Sequence, residues 1–118
     1  KSPAYLPDFL DMLVELEEYR SKLLQFMIST NTDVMIGPAA PVPAALHGHG
    51  YDGFPENGSY SHAYNLAGWP ALVMRGGTSK EGLPVGIQVI SKPWCEEKVI
   101  AVALELEKNL ETFPGPKI

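Results

Sequence analysis

The chain has 118 residues, 45% apolar and 19% charged, with a net charge of −5; a globule of that length buries roughly 65% of the surface its unfolded chain exposes, enough for one domain with a real core. Its nine Lys and Arg are scattered singly and give no basic footprint for a phosphate backbone, which argues against nucleic-acid binding. One cysteine, Cys95, excludes an intrachain disulfide framework and favours a reducing, cytoplasmic setting, while no apolar run approaches the roughly 18 residues of a membrane span and the N-terminal stretch has no signal-peptide core.

From residue 7 to 29, Phe9, Leu10, Leu13, Leu16, Leu23, Leu24 and Met27 recur at the three-and-four spacing of an amphipathic helix. Pro7 suits its first turn, and Asp8 and Asp11 complement its positive end. After the polar break TNT, a short buried strand is expected over 33–37, centred on Val34 to Ile36. Pro38, Pro41 and Pro43 then deny ladder donors and open a long loop over 38–58. A loop of that length in a compact domain is usually functional or disordered, and Leu46, Tyr51 and Phe54 favour one that is ordered and packed.

A short helix is expected over 59–67, capped by Ser59 or Ser61 and ended by Gly68, with Pro70 forbidding its return. ALVM and VGIQVIS are apolar enough to be the arms of a β-hairpin over 70–91, and the RGGTSKEGLP between them holds three Gly where a turn needs positive φ. Gly82 and Pro84 shape that turn. A second amphipathic helix follows over 95–110, with Glu96 and Glu97 at its start and Lys108 near its end, as the helix dipole prefers. Three strands leave open edges, and apolar hairpin arms imply burial on two faces; the pattern is that of a sheet lacking its other strands.

No side-chain constellation announces chemistry. His47, His49, Asp52 and His62 could meet a metal, but Gly48 and Gly50 make that segment too mobile to preorganise ligands, so no metal or cofactor is expected. Ser59 and Ser61 beside His62, and Ser79 beside Lys80, sit on no strand-to-helix elbow of the kind a nucleophilic serine uses; caps and turns explain them better. RGGTSK lacks the spacing of a phosphate loop, and strand rather than helix follows it. Cys95, just before a helix, is either a thiol the dipole could activate or a small packing residue, the second being the commoner case.

The order and spacing of DVMIGPAAPVPA, YNLAGWPALVMRGG and EGLPVGIQVISKPWCEEKVIAVALELEK resemble the C-terminal part of amidase signature enzymes, over about residues 7–110. That resemblance implies an α/β fold, with these residues forming strands of a mixed β-sheet flanked by helices within a larger domain. It also implies hydrolysis of carboxylic amides and related C–N bonds by a Ser–cis-Ser–Lys triad. The Gly- and Ser-rich motif that carries the triad lies upstream in the family, so no catalytic residue is expected in this chain, which alone should be inactive. The segment before NLAG borders the acyl pocket in similar enzymes, which nominates Gly58, Ser59, Ser61 and His62 as pocket wall. Asn65 should bond nearby backbone and Trp69 should pack beneath the sheet. The partners so implied are the remaining part of the enzyme or a second chain, a small amide substrate and, through open edges, further copies of the chain. The alternatives are a tRNA-dependent transamidase subunit of the same family and a non-catalytic binding or assembly module.

Overall fold

A computed structural model describes residues 6–48, 60–110 and 115. Gly58 and Ser59, and with them His49, Tyr51, Asp52 and Phe54, lie outside the described residues. Helix α1 spans Leu6–Ser29, strand β1 Val34–Pro38, helix α2 His62–Ala67, strands β2 Ala71–Thr78 and β3 Pro84–Ser91, and helix α3 Glu96–Asn109. The three strands form one sheet in the order β1-β3-β2, antiparallel at both pairings. The fold is α/β, and the last strand in sequence is the central one in space.

Both α1 and α2 end on a left-handed residue with the paired backbone bonds of a Schellman motif. At α1 this residue is Asn31, φ 51°, with Asn31 N–H donating to Ile28 O at 3.1 Å and Thr32 N–H to Met27 O at 2.8 Å. Asn tolerates this conformation better than other residues with a Cβ, which is why the break falls at TNT. At α2 it is Gly68, φ 71°, with Gly68 N–H bonded to Asn65 O and Trp69 N–H to Tyr64 O. Asn65 contributes through its backbone, its carbonyl accepting the Gly68 N–H, and the residue is exposed.

The hairpin turn departs from its expected chemistry. Of its three glycines only Gly82 has positive φ, at 84°. Gly76 and Gly77 lie in β2, where one extra residue between Arg75 and Gly77 makes a bulge. Ser79 closes the turn by accepting the Glu81 and Leu83 N–H groups at its Oγ, at 3.2 and 3.3 Å, so its hydroxyl is a turn element.

Each face of the sheet carries one helical layer. Ile90 points to one face and packs with Met27 of α1, Ala67 and Trp69, flanked by Tyr19, Leu23, Leu24, Met35 and Tyr64. Val89, its neighbour, must point to the other face, where α3 lies over β2 and β3 with Val99 and Ala103 buried. Gln88, Val89, Ile90 and Ser91 are consecutive and all buried, so the second half of β3 is enclosed on both sides. The flanking strands are not. β1 is a half-covered edge strand rather than the buried one expected, with Ile36 52% exposed, because α3 stops short of it. On the opposite face Val73 of β2 is 60% exposed. The two helical layers are offset and leave diagonally opposite corners of the sheet open. Leu46, expected to pack the loop down, is 77% exposed.

Candidate functional site

The segment nominated from the sequence, residues 58–62, enters the described structure at Tyr60. Its backbone N–H donates to Ala39 O at 3.2 Å, which brings the chain back beside the end of β1. Ala39 N–H in turn donates to Gly86 O at 3.1 Å, adding one rung beyond the β1–β3 ladder. Ser61 then accepts the Tyr64 and Asn65 N–H groups through its carbonyl, at 3.1 and 2.9 Å, and starts α2. Its side chain does not cap the helix as expected: at φ −78°, ψ −17° the residue is already helical, whereas a capping hydroxyl needs an extended backbone to reach forward.

α2 is fixed from below by α1. Tyr19 Oη donates to Ala63 O at 3.2 Å, and Arg20 Nη2 to Leu66 O at 3.4 Å. Tyr64 and Ala67, three apart, face the core. His62 and Leu66, four apart, share the opposite face and are exposed. Ser61 is half-buried. The structure therefore brings Ser61 and His62 to the start of one helix, with His62 turned outward, and adds Leu66, which sequence reasoning missed. Its signal was the four-residue spacing from His62.

Among the described residues no three of His, Cys, Asp and Glu lie close enough to hold a metal. Cys95 is half-buried at the start of α3, its carbonyl accepting the Lys98 N–H at 3.1 Å, and its side chain does not cap that helix. Beside it Asp33 Oδ1 accepts from Lys98 Nζ at 2.6 Å and lies 3.5 Å from Lys92 Nζ. The Lys98 hydrogen bond first, then the charge of Lys98 and of Lys92, holds the Asp33 carboxyl below its ordinary value, and the same bond raises Lys98. These groups tie the α1–β1 connection to α3. No helix among the described residues is long and apolar enough to cross a membrane.

A sheet clad by a helical layer on each face, with a short exposed helix held at one end, defines a piece of an α/β domain. The chain belongs to the amidase family: the family model described as Amidase matches residues 6–100, from the start of α1 into α3. The A subunit of glutamyl-tRNA(Gln) amidotransferase from Methylocella silvestris is 38% identical over 90 residues, which are 72% of this chain and 18% of that protein. Fatty acid amide hydrolase of Medicago truncatula is 40% identical over 85 residues, 70% of this chain and 14% of that protein. Among solved structures, the A subunit of glutamyl-tRNA(Gln) amidotransferase from Thermotoga maritima superposes on 93% of this chain and 26% of its own with a TM-score of 0.75 at 27% identity. The chain thus spans less than a fifth of the length of those two sequence relatives.

Proposed function

We propose that these residues are the C-terminal scaffold and one pocket wall of a serine-dependent hydrolase acting on carboxylic amide C–N bonds. The observation that carries this reading is the amidase family match, which runs from α1 through all three strands of the sheet into the first turn of α3. In the mechanism that membership implies, a deprotonated Lys acting through a bridging Ser takes the proton of a nucleophilic Ser. That oxygen adds to the amide carbonyl, the C–N bond breaks, the amine leaves with a proton, and water releases the acyl group as the acid. The triad belongs to the part of the protein outside this chain, and the chain alone is inactive. Ser61 and His62, with Gly58 and Ser59 before them, line the acyl side of the pocket. A lone cysteine agrees with a cytoplasmic setting.

The uncovered surfaces support a large intramolecular partner. The apolar stripe that buries Met27 continues along α1 through Leu13, Leu10, Phe9 and Leu6, all exposed. A second reading, the A-type component of a tRNA-dependent amidotransferase, is favoured by the 38% identical relative of that name. The test uses the complete protein with a panel of amides of increasing acyl length and with glutamine. Release of amine or ammonia from simple amides supports the hydrolase. Activity on glutamine alone, dependent on the other components of such a complex and on charged tRNA, supports the second reading, and inertness throughout leaves the assembly module.

A further inference from the structure

Among the described residues Gln88 is the one amide side chain buried in the sheet, 2% exposed at the centre of β3, on the same face as Ile90. As core filling it is a poor choice, because its Oε1 is buried without a hydrogen-bond partner. Its Nε2 is engaged: it donates to Pro38 O at 2.9 Å, fifty residues away in sequence. That carbonyl closes β1. The next residue, Ala39, gives its N–H to Gly86 and takes the N–H of Tyr60 at its carbonyl. One residue further on from Tyr60 stands Ser61, and then His62. The two ends of the connection between β1 and α2 are therefore pinned at one point, and the pin is anchored in the central strand.

We propose that Gln88 is a positioning residue for substrate selection: by holding the Pro38 carbonyl it sets the Ala39–Tyr60 rung and so the placement of Ser61 and His62 against the acyl group. The proposal rests on the amide-hydrolase reading above. It assigns to Gln88 a role through other residues; it does not touch substrate.

The test is Gln88→Met in the complete protein, which keeps the volume and removes an unpaired acceptor together with the donor, so folding is retained while the pin is lost. The control is Ser91→Ala. Ser91 is equally buried, and its Oγ donates to Asp33 O at 2.8 Å at the other end of the same strand pair. Two readouts are taken. Hydrogen exchange at the Ala39 and Tyr60 amides should quicken about fivefold in Gln88→Met and stay unchanged in Ser91→Ala. KM for the longer acyl amides should rise about fivefold in Gln88→Met, with kcat on the shortest amide unchanged.

Unchanged exchange in a folded Gln88→Met protein overturns the pin. Faster exchange with the wild-type acyl profile, or the same profile change in Ser91→Ala, overturns the role in selection. If the Met variant does not fold, the wild-type protein decides: an unprotected Tyr60 amide overturns the proposal, and a protected one supports it. If the wild-type protein hydrolyses no amide, the activity reading fails while the exchange readout still judges the pin.

Discussion

Gly76 faces Ile87 across the β2–β3 ladder so closely that a Cβ on the glycine would overlap the isoleucine side chain, whose Cγ1 lies 3.2 Å and Cβ 3.3 Å from that position. The bulge that sets Arg75 opposite Gly86 and Gly77 opposite Val85 places them there. The requirement at Gly76 is for space, not for positive φ. Because Ile87 is branched at Cβ and stiff, Gly76→Ala should cost about 1–3 kcal/mol of stability. In an Ile87→Ala background the cost should fall toward zero, a coupling that a double-mutant cycle by denaturant unfolding reads directly. Additive costs would show that the contact is not the cause.

The Asp33–Lys98 pair makes stability depend on pH at both extremes. Asp33 titrates below its ordinary value when folded, so its contribution is present above the unfolded value and disappears as pH falls through the folded one. Lys98 titrates above its ordinary value, so its contribution is present below the unfolded value and disappears as pH rises through the folded one. Asp33→Asn should flatten both limbs of the melting-temperature profile and change little near neutrality, since both side chains are exposed. A variant profile parallel to the wild type would contradict this.

The 118 residues produced alone should self-associate. Leu6, Phe9, Leu10 and Leu13 form an uncovered stripe on α1, Ile36 and Val73 are open at opposite sheet corners, and among the described residues β1 and β2 each present an unpaired edge. Sedimentation should show oligomers or aggregate in the micromolar range typical of exposed strand edges. A monomer with a sharp cooperative melt would sink the idea.

His62→Ala in the complete protein should alter substrate preference more than stability. The residue is exposed on α2, and truncation there should stay within about 0.5 kcal/mol of wild-type stability. Its kcat/KM across acyl lengths should shift by several-fold, and an unchanged profile would remove His62 from the pocket wall.

The helices were legible because their signals are local. The spacing from Phe9 to Met27 and the paired Glu96 and Glu97 read directly as helix, and Gly68 as its stop. Family membership was legible in the paired NLAGWPA and GLPVGIQ stretches. What the sequence did not yield was set by pairing at a distance. Gly76 read as a turn residue because only the register reveals Ile87 opposite it. Gln88 stood unremarked inside the apolar arm VGIQVIS because its partner is fifty residues earlier. Ile36 read as buried because its strand composition says nothing about where α3 stops.

Placing β3 between β1 and β2 governs how the chain acquires its structure. β2 meets its partner across a short turn, a fast local closure. β1 must wait for residues 87–91, about fifty positions later, to be synthesised and to arrive, while its donors and acceptors stay open to any competing strand. On the ribosome neither β1 nor β2 can pair within this three-stranded sheet until β3 is made, so a stop codon or frameshift before Pro84 would forfeit both described ladders at once and leave β1, Trp69 and the α1 stripe exposed together to the cell's chaperones and proteases.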